Sequence, residues 1–214
     1  MKDICISIRQ VSKWFGREQV LKEITHDFEA GRIHGLVGNN GSGKTVLFKC
    51  ICGFLRPTEG MILVDYEQVG RDVDFPDNIG LIIETPGFLP NFSGLRNLEL
   101  LAALRGRIGR SEVRSTMERV GLDPDLKRHV SKYSLGMRQR LGIAQAIMED
   151  PALLILDEPF NGLDHSGVLE IRNLLKELKA GGTTILLASH NARDIEELCD
   201  TVCEMDAGIL SEVR

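Results

Sequence analysis

The feature that most constrains the fold is a glycine-rich segment, Gly38 to Thr45, which reads GNNGSGKT. It matches the spacing G-x-x-x-x-G-K-[ST] of a phosphate-binding loop. Glycine permits the backbone angles that turn successive N–H groups inward as an anion cradle. Lys44 can place its charge on the β- and γ-phosphates, and the Thr45 hydroxyl can ligate Mg²⁺. The candidate binding residues are Gly38, Asn39, Asn40, Gly41, Ser42, Gly43, Lys44 and Thr45.

Apolar patterns around this loop predict an α/β fold. Alternation in Ile4–Ile8 and again in Ile24–Phe28 predicts strands with one wetter face. The segments 152–156 and 183–188 are apolar on both faces, as expected for central parallel strands covered on both sides. Between them, apolar residues from Val168 to Leu178 recur at helical spacing and predict a crossover helix.

The middle third, from about residue 86 to 135, has helical periodicity. Leucines from Leu95 to Leu104 predict one helix, and Ser111 is the expected cap of a second, Val113 to Val120, which Gly121 would end. We therefore expect one domain over residues 1–214: a largely parallel sheet, an antiparallel N-terminal β layer and an inserted helical subdomain.

Composition and net charge argue against several classes of function. The chain has 214 residues and a net charge of −5, which argues against a surface that coats nucleic acid, so no nucleic-acid partner is expected. It contains no run of 18 or more apolar residues, so we expect no membrane span. The five cysteines are expected to be reduced and mostly buried, with a metal site or disulfide as the alternative: Cys5, Cys50, Cys52, Cys199 and Cys203.

Two carboxylates follow an apolar strand downstream of the loop. Leu153–Leu156 leads directly into Asp157 and Glu158. In phosphate-loop NTPases, an Asp at this place holds the Mg²⁺ shell. The next residue can then polarise a water over the γ-phosphate as a general base. The alternative is a strand that merely ends in a polar turn.

A second candidate anion site begins at Ser134. The segment from Tyr133 to Met137 reads YSLGM and opens a helix, so Ser134 and the free N–H groups can bind an anion. A capped helix without a ligand explains the same pattern. Combined with the loop and the two carboxylates, however, the segment resembles the L-S-G-G-Q signature of the ATP-binding-cassette family. It keeps the serine, Ser134, and the second glycine, Gly136.

The resemblance extends along the chain and implies further roles. A stretch similar to the family's D-loop comprises Asn161, Gly162, Leu163 and Asp164. Ser189 and His190 resemble the family's switch histidine, which implies that His190 senses the γ-phosphate. The alternative is an ordinary core or surface histidine.

Three other positions match the family less closely. Phe15 lies where members carry an aromatic that stacks on adenine, although Trp14 is an alternative. Glu84 stands at the position of the family's Q-loop glutamine, where it can reach Mg²⁺ or its water, or remain a solvated charge. Val46 replaces a hydroxyl that many members have, which implies one α-phosphate contact fewer in the ATP site.

The resemblance also implies partners. Two such domains meet head to tail, each ATP lying between one phosphate loop and the partner's signature, and two identical copies are favoured. In transporter members, the hinge after Glu84 and the helical insert receive helices from a membrane permease. The candidate docking residues are Phe88, Leu89, Phe92 and Leu95, with internal packing as the alternative.

The function implied is that of an ATPase subunit of an ABC transporter, with ATP and Mg²⁺ bound. It would act at the cytoplasmic face of the membrane and be cytosolic when isolated. Segments 83–88 and 133–137 resemble exporters of the bacitracin and bacteriocin-immunity type. The alternative is a soluble ATP-driven clamp, such as an iron–sulfur cluster assembly ATPase. A small-molecule kinase would not need the signature serine or His190.

Overall fold

The computed structural model describes residues 3–84 and 87–214. The strands are β1 (Ile4–Phe15), β2 (Glu18–Glu29), β3 (Ile33–Val37), β4 (Glu59–Val64), β5 (Glu67–Gln68), β6 (Ile79–Ile82), β7 (Leu153–Asp157), β8 (Thr184–Ala188), β9 (Thr201–Asp206) and β10 (Ile209–Glu212). The helices are α1 (Lys44–Ile51), α2 (Gly94–Arg105), α3 (Arg110–Arg119), α4 (Leu135–Ile147), α5 (His165–Ala180) and α6 (Ala192–Leu198), with a 3-10 turn at Val130–Lys132. Within the described ranges, no helix has the length and apolarity to cross a bilayer.

The main sheet has six strands in the order β10-β9-β3-β8-β7-β6. All of its neighbouring pairs are parallel except β10 with β9. Every residue of β8 is buried, and so are the first four of β7, as expected for strands covered on both faces. Because parallel strands end at one edge, the segments after β3, β7 and β8 meet there.

The N-terminal layer is an antiparallel sheet in the order β2-β1-β4-β5. Its first two strands are longer than the short alternations in the sequence predict, with 12 residues each. The reason is a register shift between Ile8 and Val11, where Gln10 has a positive φ of 48° and breaks the alternation. The lengthened hairpin carries Phe15 to its tip.

The predicted helical insert is present as α2, α3, the 3-10 turn and the start of α4. Its interior is formed by buried side chains that include Leu98, Val113, Met117 and Leu141. The predicted cap of α3 is wrong, because the helix begins at Arg110 and its N-cap is Gly109.

The misplaced cap has a local cause. Ser111 lies in the first turn of α3, where its hydroxyl donates to Glu112 Oε2 at 2.8 Å. The same Glu112 oxygen accepts from the Gly109 N–H at 3.1 Å. A glutamate three residues into the helix thus satisfies the first free donor, so the helix starts earlier than the serine suggests.

The five cysteines are free and buried, as predicted. Burial raises the pKa of Cys50 to about 11 and the pKa values of Cys5, Cys52, Cys199 and Cys203 to about 12. Because the thiolate is the reactive form, these side chains act as small apolar residues of the core.

Candidate nucleotide-binding and hydrolysis site

The glycine-rich loop joins β3 to α1 at the carboxyl edge of the main sheet. Gly43 is the N-cap of α1 with φ 112°, and no side chain caps this helix. Gly38 has φ 144°, and a Cβ there would collide with the Met205 carbonyl. Ser42 Oγ is buried and has no hydrogen-bond partner among the described residues. An uncapped helix start, a glycine cradle and an unpaired hydroxyl together fit a phosphate group.

Lys44 places its charge inside this loop. The residue is 8% exposed, and its Nζ donates to the carbonyl oxygens of Gly38 at 2.6 Å and Asn39 at 3.0 Å. The ammonium group therefore lies beside the backbone N–H groups that would face the same phosphates. This position fits the predicted contact of Lys44 with the β- and γ-phosphates, which stays a prediction.

The Thr45 hydroxyl donates to Asp157 Oδ2 at 2.7 Å. This contact joins the first turn of α1 to the end of β7, 112 residues further along the chain. A hydroxyl oxygen and a carboxylate oxygen are the hard ligands that Mg²⁺ prefers, so the pair fits this metal.

Glu158 and His190 form the next contact along the same edge. Glu158 Oε2 lies 2.8 Å from His190 Nδ1. Glu158 has a positive φ of 52°, an uncommon conformation for a non-glycine residue, and its N–H donates to the Ala188 carbonyl at 3.0 Å. Strained backbone of this kind clusters at functional sites, where surrounding contacts hold it in place.

His190 lines a second pocket, with Gly38, Asn39 and Ser189. Lys44, Thr45, Asp157 and Glu158 line one cavity of about 690 Å³. The predicted site residues on its wall are Asn40, Gly41, Lys44, Thr45, Glu84, Asp157, Glu158, Asn161 and Gly162. Gln139 was not singled out in the sequence, yet it lines the cavity, is 8% exposed and lies 3.4 Å from the Glu158 carbonyl oxygen. Its place just after the signature segment is the signal that could have identified it.

Glu84 reaches this cavity as half of an ion pair. Its Oε1 lies 2.7 Å from Lys49 Nζ, which projects from α1 about one turn beyond Thr45. The positive charge compensates the carboxylate that stands in place of a neutral glutamine. The next two residues of the hinge, Thr85 and Pro86, lie outside the described residues.

The signature and D-loop segments contact each other. Ser134 caps α4 by accepting from the Met137 N–H at 3.2 Å. A Cβ added to Gly136 would lie 2.6 Å from the Gly162 carbonyl oxygen, so this close approach needs glycine. Ser134, Gly136, Gly162, Leu163 and Asp164 line a pocket that neighbours the cavity around Lys44.

The two candidate adenine-stacking residues are both exposed. Phe15 is 46% exposed at the tip of the β1–β2 hairpin, and Trp14 is 40% exposed. Lys13 Nζ lies 5.3 Å from the Phe15 ring centroid. Both rings can meet a flat ligand, so the assignment to Phe15 stays a prediction.

The four candidate docking residues separate into two groups. Leu89 and Phe92 are 50% and 43% exposed, whereas Phe88 is partly buried against the core. Leu95 is only 8% exposed and packs inside the helical insert, so its proposed role as a docking residue is wrong. The helical spacing places Leu95 on the apolar face of α2, and that face is turned inward.

Asn97 holds the exposed part of this segment. It is 4% exposed, and its side-chain oxygen accepts from the Leu89 N–H at 2.8 Å. Its amide nitrogen donates to the carbonyls of Leu89 and Ser93. Leu89 therefore belongs to a loop that α2 supports from beneath.

The fold and this cavity define a phosphate-loop nucleotide-binding protein. The ABC transporter family profile matches residues 21–161. The chain belongs to the ABC transporter family, as an ATP-binding subunit, which confirms the family and the function class that the sequence motifs indicate.

Several curated relatives are similar over nearly the whole chain. The uncharacterized ABC transporter ATP-binding protein YybJ of Bacillus subtilis is 42% identical over 205 residues, covering 96% of this chain and 94% of the relative. The bacitracin transport ATP-binding protein BcrA of Enterococcus faecalis is 42% identical, covering 97% and 68%. The lantibiotic transport ATP-binding protein SrtF of Streptococcus pyogenes is 35% identical, covering 92% and 85%. These relatives confirm the predicted subgroup likeness.

Solved structures confirm the fold class. The ADP- and phosphate-bound dimer of the ATP-binding cassette MJ0796 has a TM-score of 0.87 at 22% identity, covering 98% of this chain and 99% of that one. An ATP-binding subunit of an ABC transporter has the same TM-score at 26% identity, covering 98% and 89%. At the lower identity, the likeness concerns the fold alone.

Proposed function

We propose that this chain binds Mg-ATP, hydrolyses it and thereby drives a separate membrane-spanning subunit. The observation that carries the proposal is the convergence of Lys44, Thr45, Asp157 and Glu158 on one cavity, with His190 in contact with Glu158. The groups come from three strand ends: Lys44 and Thr45 follow β3, Asp157 and Glu158 lie at the end of β7, and His190 follows β8. Each has the chemistry that phosphoryl transfer to water requires.

The phosphates would be held by the loop N–H groups and by Lys44, which exchanges two carbonyl contacts for phosphate oxygens. Thr45 and Asp157 would hold Mg²⁺, with Glu84 beside them on the cavity wall. When bound, the metal neutralises charge on the β- and γ-phosphates. The missing hydroxyl at Val46 would remove one α-phosphate contact.

Hydrolysis would depend on Glu158 and His190. Glu158 accepts the proton of the attacking water, a step worth about 10²–10⁴ in rate. His190, in contact with Glu158, keeps that carboxylate oriented and presents its other ring nitrogen for a hydrogen bond to the γ-phosphate. Both side chains are accessible to a ligand, because His190 is 70% exposed and Glu158 is 24% exposed.

A second copy of the chain would complete the site. Ser134 and Gly136 lie in the pocket next to the cavity rather than on its wall, as expected if they contact nucleotide bound to the other subunit. The segment Asn161–Asp164 lies between the two pockets and would contact the partner. Phe15 would stack on adenine from the hairpin tip.

The membrane partner would contact Leu89 and Phe92, the exposed apolar residues beside the hinge, with Phe88 beneath them. The chain would then lie at the cytoplasmic face of the membrane. Since the named relatives are bacitracin and lantibiotic transport proteins, we propose export, with peptide antibiotics as the class of cargo.

The variant Glu158→Gln tests the assigned general base and the ATP-dependent dimer. It keeps the size of the side chain but cannot accept a proton, so ATP should be bound and not cleaved. We expect a stable dimer at saturating Mg-ATP in size-exclusion chromatography with light scattering. Glu177→Gln, on the exposed side of α5, is the control and should behave as wild type. A Glu158→Gln chain that stays monomeric and hydrolyses ATP at the wild-type rate would disprove the assigned base and the dimer.

Capture from detergent-solubilised membranes tests the transport role. The double variant Leu89→Asp and Phe92→Asp should lose a membrane-spanning chain that the wild type retains. Leu169→Asp, which alters a leucine 41% exposed on α5, should retain it. Recovery of soluble partners alone with the wild type would refute the transport role.

A further inference from the structure

A buried ion pair lies behind the loop that carries His190. Arg172 on α5 is 4% exposed, and Asp194 on α6 is 1% exposed. Arg172 Nε donates to Asp194 Oδ1 at 3.0 Å, and its Nη2 reaches the same oxygen. Its Nη1 donates to Glu197 Oε2 at 2.6 Å. The guanidinium thereby joins the two helices, and two carboxylates compensate its charge.

The second oxygen of the Asp194 carboxylate holds the loop itself. Ser189 Oγ donates to Asp194 Oδ2 at 2.9 Å and accepts from the Asn191 N–H at 3.2 Å. Ser189 is 3% exposed. One hydroxyl therefore links the residues on both sides of His190 to the buried ion pair.

His190 has little other support. Its side chain is 70% exposed, so packing does not select its position. Its ring contacts Glu158, whose own backbone N–H donates to Ala188, the last residue of β8. The backbone on either side of His190 thus decides whether the ring reaches Glu158.

We propose that Arg172, Asp194 and Ser189 form a positioning network that holds His190 at hydrogen-bond distance from Glu158. The inference rests on the proposed role of His190 in hydrolysis and adds three residues that act through it. None of the three lines the cavity around Lys44, although Ser189 lines the pocket that contains His190. Their effect should therefore appear in turnover rather than in nucleotide affinity.

The first test uses the protein without nucleotide. Ser189→Ala removes the hydroxyl and leaves the Arg172–Asp194 pair intact. Ring ¹⁵N resonances of His190, assigned by comparison with His190→Ala, should lose the signature of the Glu158 contact. Ser7→Ala is the matched control, since the Ser7 hydroxyl also donates to an aspartate, Asp27, in the N-terminal layer. An unchanged His190 spectrum in Ser189→Ala would overturn the proposal.

The second test is a double-mutant cycle that measures kcat and KM. Ser189→Ala should lower kcat roughly tenfold, with KM for Mg-ATP changed by less than about twofold. In a His190→Ala background, Ser189→Ala should not lower kcat further, because the histidine through which Ser189 acts is already absent. If the double variant instead lost kcat by the product of the two single losses, Ser189 would not act through His190.

Asp194→Asn extends the test to the ion pair without a change of size. It should lower kcat and alter the His190 resonances in the same direction as Ser189→Ala. A variant that melts earlier but keeps both properties would show Arg172 and Asp194 to be structural only. A wild type that neither binds nor cleaves ATP would instead disprove the proposed function, whereas the nucleotide-free spectrum reports on positioning alone.

Discussion

Two side-chain contacts flank the loop of residues 189–191, the Glu158–His190 hydrogen bond and the Arg172–Asp194 ion pair, and they differ in burial. The Glu158–His190 contact is 2.8 Å long, with side chains 24% and 70% exposed. The Arg172–Asp194 contact lies behind the loop, with side chains 5% and 2% exposed. Glu158 of the first pair lines the cavity, whereas the second pair joins α5 to α6.

The difference in burial implies that Glu158 and His190 can exchange each other for a ligand, whereas Arg172 and Asp194 cannot. Near water, a charge that loses its partner is rehydrated, so the outer pair can give way to a ligand at small cost. In the interior, breaking a pair leaves an uncompensated charge, so the inner pair stays formed. An exposed histidine that can change partners thus lies next to a buried ion pair that stays formed.

The largest expected effect is on the buried pair. Arg172→Ala should lower the free energy of unfolding by about 3–5 kcal/mol, because Asp194 would remain buried and unpaired. Urea denaturation monitored by circular dichroism measures this change. Arg193→Ala removes an exposed arginine that contacts Glu197 on the same helix and should cost less than about 1 kcal/mol. Equal losses for the two variants would contradict the contrast.

The outer pair should behave in the opposite way. His190→Ala should reduce kcat roughly 10²–10³-fold, as expected for the loss of one hydrogen-bond donor to the developing charge. Its free energy of unfolding should stay within about 0.5 kcal/mol of wild type, because the side chain is exposed. Phosphate release and thermal melting measure the two quantities. His129→Ala, in an exposed loop, serves as control, and a large loss of stability only in His190→Ala would be unexpected.

The smallest effect concerns a third pair, Lys49–Glu84, with side chains 29% and 64% exposed. Lys49→Ala should change the free energy of unfolding by less than about 1 kcal/mol. A double-mutant cycle with Glu84→Gln isolates the coupling between the two side chains. A coupling free energy above roughly 2 kcal/mol would be as large as that expected for a buried pair. Burial would then not explain the difference between the pairs.

Local pattern was enough to predict much of the fold and part of the cavity. The spacing from Gly38 to Thr45 predicts a loop between a strand and a helix, and the structure has that loop between β3 and α1. The doubly apolar segment before Asp157 predicts a buried central strand, and β7 is one. These inferences depend on residues close together in sequence, where backbone geometry and side-chain pattern are coupled directly.

Other predictions failed or were missed because they depend on neighbours in space. The predicted Ser111 cap is the exception, because its cause is local: Glu112, the next residue in sequence, makes the contact with Gly109. Leu95 has the periodicity of an amphipathic helix, and only packing shows which face is turned inward. Gln139 follows the signature segment, but its approach to the Glu158 backbone depends on how α4 packs beside the end of β7.

The sequence by itself determined the phosphate loop, the carboxylates at the end of β7 and the family, because each is a short pattern with its own chemistry. The tertiary structure alone decided which groups meet. Arg172 and Asp194 are 22 residues apart, and Thr45 and Asp157 are 112 apart. Such contacts form only when strands align in a sheet and helices pack on it, since burial and parallel pairing are properties of the whole fold.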